Sequence, residues 1–230
     1  LLVLTGSAPG GVQTLTVNGV AYPVDWTSVT AWRMRIPLLA GVSTLTIEGR
    51  NRNGNLVAGA SRTLSVTFAG QDVSPVGVIV INEIMYNPRV PDTSFIEIYN
   101  TSSTHSFDLT GWRLNGIGFT FRSGSVITNG QYLVLARDAV AFVRAFGTNL
   151  PVFAIFDGAL DNDGETLSLL MPGAAAGQEI EVDRVTYDDQ APWPSAANGQ
   201  GPSLQLIDPL QDNTRVSNWS DGQGWRFYST

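Results

Sequence analysis

The 230-residue sequence contains no cysteine, no lysine and only one histidine. The absence of cysteine excludes disulfide bonds, thiol catalysis and cysteine-based zinc sites. Arginine supplies all 13 basic side chains against 20 Asp and Glu residues, and a net charge of −7 has the wrong sign for binding phosphate backbones. No run approaches the roughly 20 apolar residues that a membrane span needs. We therefore expect neither nucleic-acid partners nor membrane insertion.

Short runs of alternating apolar and polar residues, separated by turn signals, dominate the chain. In one run Trp32, Met34 and Ile36 alternate with arginines. Between two others, Asn18-Gly19 suits the positive φ angles of a tight hairpin. Such runs are typical of antiparallel sheets, so we predict an all-β protein.

A break rich in Gly, Pro and polar residues near position 75 indicates two domains. We predict two immunoglobulin-like β-sandwich domains in tandem, at 1–70 and 78–230, with a linker at 71–77. The second domain contains one helical pattern, with Asp138 as N-cap and Gly147 just past its end. A single short helix is therefore expected. Because the chain begins with Leu rather than Met, we expect it to be a piece of a longer protein.

Six motifs in a fixed order resemble the lamin tail domain family in its bacterial form, over residues 78–219. They are an Ile-Asn-Glu-Ile strand, an aromatic-Ile-Glu-Ile-Tyr-Asn strand, an Asp-Leu-x-Gly-Trp-x-Leu strand, a Tyr-Leu-Val-Leu strand, an Asn-Asp-Gly-x-Thr hairpin and a Val-Asp-x-Val-x-Tyr strand. The chain carries them at Ile81–Ile84, Phe95–Asn100, Asp108–Leu114, Tyr132–Leu135, Asn162–Leu169 and Val182–Tyr187. Phe95 stands where the family commonly has Trp.

The resemblance implies an immunoglobulin-like sandwich without catalytic activity. In animals such domains form the tails of nuclear lamins and take part in protein contacts. In bacteria they are appended modules of large secreted or surface proteins, often beside other immunoglobulin-like modules, which the first block of this chain resembles.

Glu83 and Glu97 stand out among the carboxylates. Counting by twos places Glu83 on one face with Ile79, Ile81 and Met85, and Glu97 on the corresponding face of the next strand. Two inward carboxylates could hold a cation or act as acid and base. We favour a structural role, in which Arg or backbone N–H groups hydrogen-bond to them and tie a loop to the sandwich.

Four acidic side chains surround an Asp-Gly pair in residues 157–170. An EF-hand frame centred on Gly164 fails at both ends, because it would need ligands at Ala159 and Leu170. Two interpretations stay open: a looser calcium site, or a hairpin turn whose Asp-Gly pair supplies positive φ angles while the acids are solvated. The candidate calcium ligands are Asp157, Asp161, Asp163 and Glu165. Calcium aside, no cofactor is expected.

Aromatic residues suggest a further type of site. Trp32 and Trp112 lie in alternating strands and are expected in the core, whereas Trp193, Trp219 and Trp225 lie in loop or terminal segments and could stack on sugars. The one histidine, His105, lies in a polar turn among serines, which does not supply the convergent geometry of a triad.

We therefore expect no enzyme but a binding, adhesion or spacer module of a larger extracellular or cell-surface bacterial protein. Its expected partners are other domains of that protein, other proteins or glycans. Two alternatives stay open: a carbohydrate-binding module that uses the loop tryptophans, and a hydrolase built on Glu83 and Glu97.

Overall fold

The computed structural model describes residues 1–149 and 151–222. Within them the fold is all-β with one α-helix, as the sequence predicted. The strands are β1 (Leu2–Ser7), β2 (Thr14–Val17), β3 (Val20–Ala21), β4 (Val24–Trp26), β5 (Ala31–Ile36), β6 (Gly41–Arg50), β7 (Leu56–Phe68), β8 (Ile79–Met85), β9 (Phe95–Asn100), β10 (Phe107–Asp108), β11 (Arg113–Asn115), β12 (Phe119–Thr120), β13 (Val126–Ile127), β14 (Tyr132–Ala136), β15 (Val152–Ile155), β16 (Gly164–Pro172), β17 (Glu179–Asp188), β18 (Leu204–Leu206) and β19 (Trp219–Ser220).

The chain divides into two compact units. Unit 1 comprises Leu1–Ser74, His105–Gly111 and Phe121–Thr128, and unit 2 comprises Pro75–Thr104, Trp112–Thr120 and Asn129–Thr230. The chain passes from one unit to the other within the predicted linker. Two segments of the predicted second domain are grouped with unit 1, so the simple tandem boundary stays a prediction.

Unit 1 contains two larger antiparallel sheets, in the orders β1-β5-β4 and β3-β2-β6-β7, and the short pair β10-β13. Both larger sheets contribute side chains to one core, among them Met34 and Ile36 from β5 and Leu15 from β2. The predicted hairpin between β2 and β3 is confirmed, because Asn18 and Gly19 have φ angles of 51° and 83°.

Unit 2 contains a four-stranded sheet in the order β12-β11-β16-β17 and a six-stranded sheet, the large sheet, in the order β15-β14-β9-β8-β18-β19. Neighbouring strands are antiparallel except β14 and β15, which are parallel. Aliphatic side chains of both sheets are fully buried in the core of this unit. Those with no exposed surface include Ile79, Ile81, Ile84, Ile96, Ile98, Leu114, Leu135, Leu167, Leu169 and Val185.

The helix α1 (Ala139–Phe146) confirms the predicted capping. The Asp138 carboxylate accepts hydrogen bonds from the N–H groups of Val140 and Ala141, at 2.7 and 2.8 Å. Gly147 ends the helix with a φ of 89°, and its N–H donates to the Val143 carbonyl. No helix formed by the described residues is long and apolar enough to cross a membrane.

Removing this cap should destabilise the protein. Asp138→Ala leaves two helix N–H groups without their acceptor, and we expect a loss of about 1 kcal/mol in urea unfolding at neutral pH. Asp138→Ser keeps a capping oxygen and is the matched control, which should lose no more than about 0.5 kcal/mol. Equal losses in the two variants would contradict the capping role.

Candidate functional site

A β-bulge turns Glu83 away from the core. Ile81 pairs with Ile98, but Glu83 pairs with Glu97, so the register shifts at Asn82. The shift puts both Ile81 and Ile84 in the core, three positions apart, and sends Glu83 to the opposite face. The prediction that Glu83 shares a face with Ile79 and Ile81 is therefore wrong. Its neighbour on the outward face is Met85, which pairs with Phe95.

Glu83 and Glu97 line one cavity on this outer face of the large sheet, which we call the carboxylate pocket. Its volume is about 260 Å³. Strands β8, β9 and β14 form its floor, helix α1 supplies a wall, and the segment from 201 to 205 supplies the rim. The lining residues are Glu83, Met85, Phe95, Glu97, Val134, Phe142, Phe146, Gly201, Pro202, Ser203 and Gln205.

The aromatic wall of the pocket is a packed cluster. Phe142 and Phe146 of α1 each meet Phe95 edge-on, with ring centroids 5.3 and 5.4 Å apart. Phe142 is buried, whereas 38% of Phe146 is exposed. The helix therefore contributes apolar surface to the same pocket as the two carboxylates.

Neutral side chains hydrogen-bond to the two carboxylates. Asn82, the bulge residue, donates its amide to Glu97 at 2.8 Å. Glu83 accepts a short hydrogen bond from the Ser203 hydroxyl and one of 3.2 Å from the Gln205 amide. The predicted hydrogen bonds from Arg or backbone N–H groups stay a prediction. Glu83 does join β8 to the segment that contains β18, which is a structural contact.

The electrostatics of the pocket favour a proton on Glu97. The pKa of the Glu97 carboxyl is raised to about 7, chiefly by burial; the hydrogen bond from Asn82 lowers it and the nearby charge of Glu83 raises it. Like charges directly opposite each other on paired strands are destabilising. The described lining residues of the pocket thus place two carboxylates beside the polar side chains of Ser203 and Gln205.

Sequence reasoning missed the partners of the two glutamates. The spacing of Ile81 and Ile84 signals the bulge, because strict alternation cannot bury residues three apart on one face. Gln205 alternates with the buried Leu204 and Leu206 in β18, and Ser203 directly precedes that strand. The sequence showed that alternation but not the pairing of Gln205 with Glu83.

The acidic segment does not form the predicted hairpin. Gly164 has a φ of 108° and begins β16, but the preceding strand β15 lies in the other sheet of unit 2. The turn therefore connects two sheets rather than two paired strands. Only Gly164 supplies a positive φ, since Asp163 is not in that region.

Hydrogen bonds within this turn use several of the candidate calcium ligands. The Glu165 carboxylate accepts from the Asp161 N–H at 2.9 Å and from the Tyr187 hydroxyl at 3.1 Å. Asp161 in turn accepts from the N–H of Asp163. The carbonyl of Asp157 instead accepts from the Arg137 guanidinium.

Among the described residues, no group of three or more His, Asp or Glu side chains is placed to hold a metal ion. The calcium site stays a prediction, and its check is a calcium-dependent rise in Tm that is lost in Asp161→Ala.

A family model described as Lamin Tail Domain matches residues 72–189, slightly more than half of the chain. The chain belongs to the lamin tail domain family. Comparisons with curated proteins and with solved structures found no match.

The lamin tail domain family is a family of non-catalytic, immunoglobulin-like domains. The matched range contains both glutamates of the carboxylate pocket and helix α1. Ser203 and Gln205 lie beyond its end. The pocket of this lamin tail domain is therefore completed by a segment outside the family match.

The tryptophans of this lamin tail domain chain differ in their exposure. Trp219 does not offer the exposed face that we predicted, because it is only 4% exposed and its indole N–H donates to the Asn213 carbonyl at 2.7 Å. Trp193 is half-buried and packs at 6.1 Å from Trp219. Trp225 lies outside the described residues. The predicted burial of Trp32 and Trp112, at 7% and 5% exposure, is confirmed.

His105 lies in unit 1 and is half-buried. The nearby carboxylate of Asp108 accepts hydrogen bonds from the Tyr22 hydroxyl at 2.6 Å and from the Thr110 N–H at 2.8 Å. These contacts give Asp108 a role in joining segments of unit 1. The interpretation of His105 as a turn residue stays a prediction.

Proposed function

We propose that this lamin tail domain chain is a non-catalytic binding module of a larger extracellular or cell-surface bacterial protein, in which it presents or positions neighbouring domains. The single observation that carries the binding role is the carboxylate pocket, a cavity of about 260 Å³ with an apolar wall and two convergent carboxylates. Pockets that combine apolar walls with a few converging polar groups are the usual form of a ligand site. The family's non-catalytic character supports binding rather than turnover.

A fragment screen tests this role. Isotope-labelled protein is mixed with small cations, neutral sugars and anions, and amide shifts are recorded by NMR. At least one class should perturb residues that line the carboxylate pocket, such as Glu97 and Phe142. Perturbations confined to other surfaces, or none at all, would contradict a binding role for this pocket.

The non-catalytic part of the proposal has its own test. The alternative hydrolase would use Glu83 and Glu97 as acid and base, since both line one cavity. We expect no turnover of chromogenic glycosides or esters. Turnover that disappears in Glu97→Gln would establish the hydrolase instead.

Glycans are a second class of partner, favoured by one specific observation. Tyr99 and Tyr132 stack with centroids 4.1 Å apart and planes 10° from parallel, and half of Tyr132 is exposed. An exposed aromatic face of this kind suits the apolar face of a sugar. A glycan-array signal that is lost in Tyr132→Ala but kept in Trp193→Ala would assign sugar binding to this pair, and the reverse would assign it to Trp193.

A further inference from the structure

We propose that unit 1 contains a further binding site, a pocket that takes a small organic carboxylate. It goes beyond the proposed function, because it shares no residue with the carboxylate pocket of unit 2. Its volume is about 360 Å³, and we call it the indole pocket. Its lining includes Leu15, Trp32, Ile47, Arg62 and Leu64.

The indole pocket lies where the two larger sheets of unit 1 meet at one edge. Strand β1 ends the sheet β1-β5-β4, and β7 ends the sheet β3-β2-β6-β7. Both of these edge strands line the pocket. Leu15 of β2 and Ile47 of β6, which belong to the core of unit 1, line it as well. The pocket therefore runs from the edge of the sheets to the apolar core.

Trp32 brings an unused hydrogen-bond donor to this pocket. Its side chain is only 7% exposed, and its indole N–H has no acceptor among the residues that the structure describes. The ring lies across Gly6 of β1, where a Cβ would come within 2.6 Å of the ring atom Cζ2. A buried donor without an acceptor is unfavourable, so a ligand that supplies one gains binding energy. The small side-chain adjustments that are common on binding let a ligand reach this N–H.

Arg62 adds a positive charge to the pocket. It lies on β7 between Ala60 and Leu64, which both pack against the core of unit 1, so alternation directs Arg62 to the same face. The Arg62 side chain lines the pocket and is also exposed to solvent. The described lining residues include this one basic side chain and no Asp or Glu. The charge of the pocket therefore favours an anion.

A carboxylate with an apolar body matches these groups. Its two oxygens can accept hydrogen bonds from the Arg62 guanidinium and from the Trp32 N–H, and the bond to the guanidinium is charge-assisted. The body of the ligand packs against Leu15, Ile47 and Leu64 and loses contact with water. A phosphate would bring a second negative charge for which the described lining supplies no second cation.

The size of the indole pocket limits the ligand. Sites for drug-sized molecules enclose roughly 300–1,000 Å³, and a pocket of about 360 Å³ is near the lower end of that range. A short branched or aromatic acid such as 4-methylpentanoate or 3-phenylpropanoate therefore suits it.

Arg62 also allows a purely structural interpretation. An inward-pointing charge on an edge strand protects that edge from pairing with another chain. In that case Arg62→Gln would promote self-association and leave the affinity for carboxylates unchanged. The two interpretations therefore differ in a measurable quantity.

The experiment is an NMR titration of the whole chain at neutral pH with 4-methylpentanoate and 3-phenylpropanoate, using the corresponding amides as neutral isosteres. We expect both acids to shift the signals of the lining residues and the indole N–H signal of Trp32, which Trp32→Phe assigns by its loss. The amides should bind about tenfold more weakly, because they lack the charge that strengthens the hydrogen bond to Arg62.

Variants assign the two donors. Arg62→Gln should weaken binding of the acids about tenfold and change binding of the amides little. Arg35→Gln, at an exposed position on β5 outside the pocket, is the matched control and should not change either affinity. Trp32→Phe keeps an aromatic ring but removes the N–H, so it should weaken binding of acids and amides alike. Amide spectra of each variant confirm that it is folded, and the wild-type indole signal decides the role of the N–H if Trp32→Phe does not fold.

Three results would overturn this inference: equal affinities for acids and amides, an unchanged affinity for the acids in Arg62→Gln, or shifts confined to residues outside the indole pocket. Each would leave the proposed role of the carboxylate pocket intact, since that role is measured at other residues. A dipeptide, N-acetyl-Ala-Leu with a free C-terminal carboxylate, distinguishes two sources of the ligand. Affinity comparable to that of the simple acids indicates a peptide chain end, and binding of the simple acids alone indicates a free organic acid.

Discussion

Asp183→Ala should destabilise the lamin tail domain by about 3–4 kcal/mol, because it leaves buried donors without an acceptor. The Asp183 carboxylate accepts a hydrogen bond of 2.6 Å from the N–H of Ile81, and Asn213 donates its amide to both carboxylate oxygens at 2.8 and 2.9 Å. Ile81 is completely buried and Asn213 is 6% exposed, so water cannot replace the lost acceptor easily.

The position of Asp183 explains the size of this effect. It lies on β17 in the four-stranded sheet, and Ile81 lies on β8 in the large sheet. One side chain therefore joins both sheets of unit 2 and the segment after β18. Burial raises the pKa of the Asp183 carboxyl, while its hydrogen bonds lower it, which shows that desolvation is only partly compensated.

Urea unfolding and hydrogen exchange measure the loss. The amide of Ile81 should lose protection in Asp183→Ala by more than amides in unit 1, since unit 1 makes none of these contacts. Asp183→Asn keeps one acceptor oxygen and should lose about half as much stability. Glu181→Ala removes an exposed carboxylate from the same strand and should change stability by no more than about 0.5 kcal/mol. A loss in Glu181→Ala as large as that in Asp183→Ala would contradict the explanation that the effect comes from the lost buried acceptor.

The strands, the helix and the family membership could be predicted from local sequence patterns, because each pattern involves residues that lie near one another in the chain. Alternation in β5 and the cap at Asp138 are features of this kind. The roles of Asp183 and Tyr187 were not predictable in this way, although both belong to a recognised motif. Their partners are far away in sequence: Ile81 for Asp183, and the carbonyl of Asp161 for the Tyr187 hydroxyl.

The same contrast between local patterns and distant partners applies to the candidate site. The sequence singled out Glu83 and Glu97, which do pair, and placed Met85 correctly on the face of Glu83, but it placed Ile79 and Ile81 there wrongly. The error came from one residue, Asn82, whose bulge reverses the alternation for the rest of β8. The turn at Gly164 was misread for a related reason, since an Asp-Gly signal specifies a local backbone bend and not which strands pair on either side of it.

Glu97→Gln should make the protein more stable than the wild type at pH 8 by about 2 kcal/mol, and change it little near pH 4. The pKa of Glu97 is raised from 4.5 to about 7, so the folded protein holds a proton that the unfolded chain releases between these values. The wild type therefore has its full stability from this group below pH 4.5 and loses it as the pH rises through 7. Each pKa unit corresponds to about 1.4 kcal/mol, and partial exposure of the carboxyl reduces the total.

Urea unfolding of both proteins at pH 4, 6 and 8 tests the sign of this stability difference. The glutamine amide that replaces the carboxyl in the variant keeps the acceptor for Asn82 and removes the charge that opposes Glu83, so the gain should grow with pH rather than stay constant. Glu181→Gln, which removes a carboxylate from an exposed position, should give no such trend. A Glu97→Gln protein that is less stable than the wild type at pH 8 would contradict the raised pKa of Glu97.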